Sequence, residues 1–451
     1  MNFTRIDILK TKVGMISLGC PKNQVDAEVM LKKLQDSGFE ITNDEAQAKV
    51  IIINTCGFIE SAKKEAIDTI FETVELKETT DVEKIIVTGC LAERYREEIM
   101  KEIPEVDAVI GIGANGDIVK VCENVLKGYK YESFPPKDNL PLDCERLVST
   151  PKHWAYLKVS DGCNNCCSYC AIPDIRGRMR SRTIESIAEE ARAISANGAR
   201  ELIIVAQDTT RYGEDLYGKP MLCELLRELC RIDNVSGLRL MYCYPEMISD
   251  ELLELIAKED KILNYIDIPI QHSNEKILSD MNRCGSYDEL MKLINRMREL
   301  IPDICIRTTV MVGFPGEGEE EFEELARFVK AAKFDKLGCF AFSPEEGTVA
   351  ETMPDQVDED VKQRRLEIIM QEQCFISEEN NKNKLGRVYD AVVDYCDSES
   401  GFYYARSYFD APEIDSGIVF ESDKKLFSGT LVKLEIIGYD DYDLKGRLIN
   451  S

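Results

Sequence analysis

"HWAYLKVSDGCNNCCSYCAIP", residues 153–173, is a short apolar β-type run that ends in four cysteines within eight residues. Aromatic and β-branched types fill the run and a glycine closes it, as in a strand that ends in a turn. Five further runs follow: "RELIIVAQD" (200–208), "GLRLMYCYP" (237–245), "NYIDIPIQH" (264–272), "CIRTTVMVGFP" (305–315) and "DKLGCFAF" (335–342). Helical patterns separate them, so the stretch predicts a partial (β/α)6 barrel of the TIM-like kind. Such a barrel carries its chemistry at the C-terminal ends of its strands, where Cys163, Cys166, Cys167 and Cys170 fall.

Upstream, "KVGMISLGC" (12–20), "AKVIIINTC" (48–56) and "EKIIVTGC" (83–90) read as buried strands, with helical patterns such as "SAKKEAIDTIFETVEL" (61–76) between them. That alternation predicts an N-terminal parallel α/β unit over 11–128. Each run ends in a cysteine, and strand ends of an open α/β sheet share one crevice, so Cys20, Cys56 and Cys90 can converge. The alternative is three unrelated buried thiols. The proline-bearing "ESFPPKDNLPLDCERLVSTP" (132–151) reads as a linker, placed at 129–148.

Downstream, the barrel with its connector helix is expected over 149–379. From Val388 onward, short alternating runs ("VYDAVVDY", "FYYARSYFDAP", "GIVFES", "TLVKLEIIGYD", "DLKGRLI") predict a small antiparallel β-barrel over 382–449. From Arg387 to Ser451 it holds seven Lys and Arg against thirteen Asp and Glu. A basic protein partner suits that surface better than RNA does.

Seventeen cysteines and two histidines, His153 and His272, weigh against a His-rich zinc site or a Ser/His/Asp triad. The N-terminus lacks an apolar core with a cleavage site, and no apolar run approaches membrane-spanning length, so a cytoplasmic protein is expected. In a reducing compartment grouped cysteines are metal, cluster or redox ligands rather than a disulfide framework. A formal charge of −27 disfavours nucleic acid as the direct substrate, although acidity alone also aids solubility.

Cys163, Cys167 and Cys170 form CxxxCxxC with Tyr169 before the last cysteine. Three thiolates on a tight loop suit three irons of a four-iron four-sulfur cluster and leave one iron open for substrate chemistry. Overlapping CxxC pairs allow a cramped zinc site or, less readily, a redox dithiol.

This motif after the first barrel strand resembles the radical S-adenosylmethionine enzymes, and nearly the whole chain resembles their methylthiotransferase family. "SLGCPKNQVDAE", "NTCGFIESAKKEAID", "VTGCLAERY", "YIDIPIQHSNEKIL", "VGFPGEGEEEF", "GCFAFSPEEGTVA" and "FDAPEIDSG" are similar to the RimO-type branch, which modifies a small-subunit ribosomal protein. The transfer-RNA branch shares the plan, but Pro21-Lys22-Asn23 and the acidic terminal barrel, of TRAM type, favour the ribosomal one.

The resemblance implies that Cys163, Cys167 and Cys170 hold the radical-generating cluster and Cys20, Cys56 and Cys90 a second, auxiliary one. It implies a methylthio group inserted at the β-carbon of an aspartate in the small-subunit ribosomal protein numbered twelve. One S-adenosylmethionine methylates a sulfur held at the auxiliary cluster, and a second supplies the 5'-deoxyadenosyl radical that takes the hydrogen. Gln207, Asp208, Arg307 and Gly313 are the further expected cofactor contacts, with an electron donor such as flavodoxin or ferredoxin. Cys166 departs from the family pattern and can compete as a ligand during assembly. Arg176, Arg178, Arg180 and Arg182 alternate after the cluster and are expected either to meet carboxylates of cofactor or target, or to form a solvated face. "GIGANG" (111–116) and "GEDLYGKP" (213–220) imitate nucleotide-binding loops but lack the acidic partner and the Ser or Thr those sites need. The readings outside this one enzyme are a transfer-RNA adenosine methylthiotransferase and a non-catalytic iron–sulfur carrier.

Overall fold

The structure, a computed structural model, describes residues 11–449. Its first sheet is six-stranded and parallel in the order β2-β1-β3-β4-β5-β6. The strands are β1 (Lys12–Ser17), β2 (Glu40–Ile41), β3 (Val50–Thr55), β4 (Lys84–Gly89), β5 (Ala108–Ile110) and β6 (Tyr131–Ser133). β3 is buried at every position, which is why it reads as an unbroken Val/Ile run instead of an alternation. Met30, Leu34, Val121 and Val125 cover one face, and Ala66, Ile70 and Ile99 the other. Only β1, β3 and β4 were legible as strands. β2, β5 and β6 are two or three residues long, and β6 lies inside the stretch read as a linker.

The central sheet is also six-stranded and parallel, in the order β14-β13-β12-β11-β10-β7. It comprises β7 (Trp154–Lys158), β10 (Glu201–Val205), β11 (Gly237–Leu240), β12 (Ile262–Asp267), β13 (Cys305–Val312) and β14 (Lys336–Ala341). A small antiparallel pair, β8 (Ser160–Asp161) and β9 (Arg180–Ser181), frames the cysteine loop. Strand alternation divides two cores. Leu157, Ile204, Leu240 and Ile306 pack outward on Leu225, Ile294 and Phe328, while Tyr156, Val205, Met241 and Tyr265 face inward. The helix Glu359–Lys382 contributes Ile369 and Ile376 to the outer core.

The inner face shares its core with the C-terminal closed barrel, ordered β15-β16-β17-β19-β18. Its strands are β15 (Val388–Cys396), β16 (Tyr403–Arg406), β17 (Ile418–Glu421), β18 (Leu431–Tyr439) and β19 (Leu444–Leu448). This barrel seals the N-terminal end of the central sheet. Glu201, at the start of β10, lies between Arg239 (2.7 Å) and Arg406 (3.0 Å), and Lys336 at the start of β14 reaches Asp410 (3.0 Å). Residues 409–415 project against the inner face, where Tyr156 donates to Glu413 and Tyr265 to Asp415.

The opposite, C-terminal end of the sheet is left to the first unit. Glu345, after β14, binds Arg94 (2.9 Å) and Lys63 (3.2 Å), and Arg146 joins Glu28 to Glu190. Among the described residues no helix is long and apolar enough to cross a membrane.

Candidate active site

The loop that carries Cys163 to Cys170 leaves β8 through Gly162, whose φ is +77°. A Cβ there would stand 2.2 Å from the Arg178 carbonyl oxygen, so only glycine lets the loop close against its return arm. Hydrogen bonds then fix it from several sides: Cys163 N–H to Gly177 O (3.1 Å), Asn165 Nδ2 to Asp208 Oδ2 (2.7 Å) and Ser168 Oγ to Asp280 O (2.7 Å). Tyr169 packs against Ile277, Met281, Phe314 and Phe342. The outcome is selective. Cys163 and Cys167 are buried and Cys170 is half-buried, whereas Cys166 is exposed with its thiol beside the Asn164 carbonyl at 3.7 Å. Burial pushes Cys163 up to about 11 and Cys170 to about 12, so these thiols hold their protons tightly and iron binding has to displace them.

The other triad is assembled by topology. β1, β3 and β4 are neighbours, and each delivers a cysteine just beyond its end: Cys20, Cys56 and Cys90. Gly19 (φ +88°) makes the approach possible, because a Cβ there would lie 2.6 Å from Cys56 Cβ. Cys90 packs on Ala171 and Ile175, directly after the first loop, so the two triads share one seam. Burial raises Cys56, and raises Cys90 to about 12. Burial acts the same way on Cys20, but Lys22 and Arg176 outweigh it and hold that thiol below its ordinary value.

Arg176 is the joint of the seam. It is 1% exposed, binds Asp161 (2.8 Å) and Asp26 (2.9 Å), and donates to Asn23 (3.2 Å). Lys158 completes the cluster with Asp26 and Asp161. This corrects the expectation of an arginine run on one face for three of its four members. Arg176 meets carboxylates of the chain itself, Arg182 pairs with Asp143 and Glu190, and Arg180 donates to the Asp138 and Leu140 carbonyls. Only Arg178 is exposed.

The other expected contacts fall in different places. Gln207 donates to Asp161 Oδ1 (3.2 Å) and keeps a buried Oε1 with no partner. Asp208 is committed to Asn165, Thr210 and Arg211, and burial raises its carboxyl above the usual range. Arg307 turns toward the terminal barrel, with Asp267 at 2.7 Å and Asp415 at 3.6 Å. Gly313 donates to Glu317 (2.9 Å), one residue before the Phe314 that packs on Tyr169. Of the histidines, His153 contacts Asp394 (2.8 Å) and His272 is buried 3.3 Å from Glu317, away from the cysteines.

Tyr244 and Arg283 carried no sequence signal, and Lys22 carried one only as a mark of the family branch, not as a site residue. Tyr244 OH lies 3.6 Å from Cys167 Sγ, and Arg283 stacks 4.2 Å over the Tyr244 ring with its buried Nε unpartnered. Lys22 Nζ sits 3.4 Å over the Tyr242 ring. The set fits an iron–sulfur cluster with a polar ligand: three soft donors per site, an open acceptor on Gln207 and an open donor on Arg283. Among the described residues no three His, Cys, Asp or Glu close in as around a single metal ion. The fit rests on the donor chemistry and on the one loop and the neighbouring strand ends that carry the cysteines.

Comparison with known proteins agrees in plan. The chain matches the models of Uncharacterized protein family UPF0004 over 12–111, the Radical SAM superfamily over 157–329 and the TRAM domain over 385–449. It is 47% identical to the ribosomal protein uS12 methylthiotransferase RimO of Acetivibrio thermocellus, over 98% of this chain and 99% of that one. The protein of the same name from Clostridioides difficile is 45% identical, over 97% and 99%. Among solved structures, the radical S-adenosylmethionine methyltransferase TsrM of Kitasatospora setae, with tryptophan and a cofactor analogue bound, has a TM-score of 0.55 at 16% identity. That match covers 73% of this chain and 72% of that one, and it speaks for the fold alone.

Proposed function

The chain belongs to the RimO family of ribosomal protein uS12 methylthiotransferases, and within that activity we propose that it places the methylthio group on the β-carbon of a uS12 aspartate. It is a radical S-adenosylmethionine enzyme with iron–sulfur chemistry. Our reading assigns two four-iron clusters, one on Cys163, Cys167 and Cys170 and one on Cys20, Cys56 and Cys90. The observation that carries it is the meeting of the triads across one seam, with Cys90 packed on Ala171 and Ile175.

Bound there, cluster and S-adenosylmethionine supply the radical that removes hydrogen from an unactivated carbon, which no side chain can deprotonate. The chain's own residues bind and orient. Gln207 offers its free Oε1 to the cofactor's amino group, and Asp208 holds the cysteine loop through Asn165. Arg307 acts as a positioning residue that ties β13 to the terminal barrel. Arg176 fixes the separation of the two sites, and the terminal barrel excludes water from the far end of the sheet.

We divide the chain at 11–128, 129–148, 149–379 and 382–449, which contain the three matched stretches. A small electron carrier of flavodoxin or ferredoxin type supplies the electron, and the protein works in the cytoplasm.

The test is mass spectrometry of uS12 and of transfer-RNA nucleosides from cells with and without the gene. Loss of one methylthio group from a uS12 aspartate is expected. Loss from a transfer-RNA adenosine instead overturns the reading, and absence of 5'-deoxyadenosine formation by the purified protein leaves only a cluster carrier.

A further inference from the structure

Most buried cations along the seam have a carboxylate. Arg176 and Lys158 share Asp26 and Asp161, Arg146 has Glu28 and Glu190, and Arg94 and Lys63 share Glu345. Two do not: Arg283, which donates to the Pro269 carbonyl and stacks on Tyr244, and Lys22, 7% exposed, whose ammonium meets the face of Tyr242 and forms no ion pair with a carboxylate among the described residues. The acidic neighbour of Lys22 is the Cys20 thiol, which it shares with Arg176, and a shared thiol and an aromatic face compensate for only part of a buried ammonium's lost hydration.

Its place says what anion completes it. Tyr242 and Tyr244 follow β11 at the C-terminal end of the central sheet and flank Cys243. Tyr244 OH touches Cys167, while Tyr242 carries Lys22, two residues from Cys20. Lys22 therefore lies beside the strand-end triad, on the arm whose next aromatic, Tyr244, touches the loop triad, and a carbon acted on from both sides must come to that arm. Tyr242 is held there against its own backbone preference. Its φ is +61°, its N–H donates to Asp267 Oδ2 (2.9 Å) and its carbonyl accepts from Thr209 (3.0 Å). A strained residue fixed from two sides is the pattern of a positioned functional group.

We infer that Lys22 recognises the carboxylate of the target aspartate. The inference rests on the aspartate reading above and adds to it the residue that selects this substrate. In aspartate the carboxylate is one bond from the β-carbon, so an ammonium that holds it also places the reacting carbon. An adenosine offers no carboxylate, and the ammonium would then stay buried without one, which discriminates against it.

The test uses cluster-loaded enzyme with S-adenosylmethionine, a uS12-derived peptide containing the target aspartate, and the same peptide with asparagine there. Dissociation constants are measured for the wild type, Lys22→Gln and Lys22→Arg. The wild type should prefer the aspartate peptide by about ten- to a hundred-fold, the range for a hydrogen bond to a charged group. K22Q should bind both peptides alike and K22R should keep the preference, with S-adenosylmethionine affinity unchanged in each. The ratio within one preparation is independent of the fraction of enzyme loaded with iron.

A K22Q enzyme that keeps the preference overturns the inference. So does a loss that falls on S-adenosylmethionine affinity or iron content while the preference stands, because Lys22 then serves the cofactor or the cluster. A wild type indifferent to the exchange also overturns it while the uS12 activity stands. Failure of the wild type to bind or modify either peptide removes the aspartate reading, and this inference with it.

Discussion

The two cysteine triads offer the same ligand chemistry through opposite constructions. Cys163, Cys167 and Cys170 sit in one loop whose shape is set by Gly162 and by hydrogen bonds to neighbouring barrel segments. Cys20, Cys56 and Cys90 come from three neighbouring strands and meet when that sheet forms, and Cys90 then packs on Ala171 and Ile175. The loop triad depends on the barrel, and the strand-end triad on the sheet of the first unit. Charge draws the same distinction, since Arg176 and Lys22 act on Cys20 while the thiols of the loop are governed mainly by burial.

Removing one ligand from each triad is the harshest test of that separateness. Cys167→Ala should abolish 5'-deoxyadenosine formation and all methylthio product. Cys56→Ala should retain S-adenosylmethionine cleavage, lose the product and lose about half the bound iron, given one four-iron cluster per triad. Iron analysis and chromatography of the nucleoside read both variants. If C56A also stops cleavage, the triads do not act as separate sites.

Arg176 is where the two constructions join, and its loss should weaken the strand-end triad first. Arg176→Met leaves Asp26 and Asp161 buried with Lys158 alone, which should lower stability by about 3–5 kcal/mol, the usual effect of breaking a buried ion cluster. Chemical denaturation gives the magnitude, and iron per chain should fall before cofactor cleavage does. Equal loss at both triads would show that the seam is one site.

The ion cluster at the other end of the sheet supplies the contrast. Burial opposes the charge of Glu201, yet Arg239 and Arg406 hold its carboxyl down at about 2, against an ordinary 4.5. A depressed value means that the stabilisation is fully present above about pH 4.5 and drains away as pH falls toward 2. It amounts to about 3 kcal/mol. Glu201→Gln lacks it at every pH, so the stability gap between wild type and variant, measured on iron-free chain, should narrow as pH falls below about 4.5 and close near pH 2. At neutral pH the variant should bind as much iron as the wild type.

The sequence made the triads legible because each cysteine sits at the end of an apolar run or within a tight spacing, and both are local patterns. The six central strands were legible for the same reason, while β2, β5 and β6 are too short to show a period. The charges that join the units were not. Asp26 and Arg176 are 150 residues apart, and Lys22 and Tyr242 are further apart still, so no spacing announces them. Read locally, the alternating arginines gave one face. The structure breaks that alternation with the helix Ile172–Arg176 and the strand β9, which send Arg176 inward and leave Arg178 outside.

The smallest expected effect isolates the loop triad from everything that Arg176 supports. Gln207 spends its amide N–H on Asp161 and leaves Oε1 buried without a donor, an arrangement that lowers stability slightly unless a ligand supplies one. Gln207→Leu removes that acceptor together with its desolvation penalty. Folding stability should hold or rise slightly, while affinity for S-adenosylmethionine falls on the order of ten-fold for the lost hydrogen bond to a charged amino group. Iron content and uS12 peptide affinity should stay at the wild-type level. Calorimetric titration of the cofactor beside a denaturation curve reads both quantities. A stability loss with unchanged affinity would assign Gln207 to holding Asp161 and the seam, and would move it from the loop triad's side of the comparison to the side of Arg176.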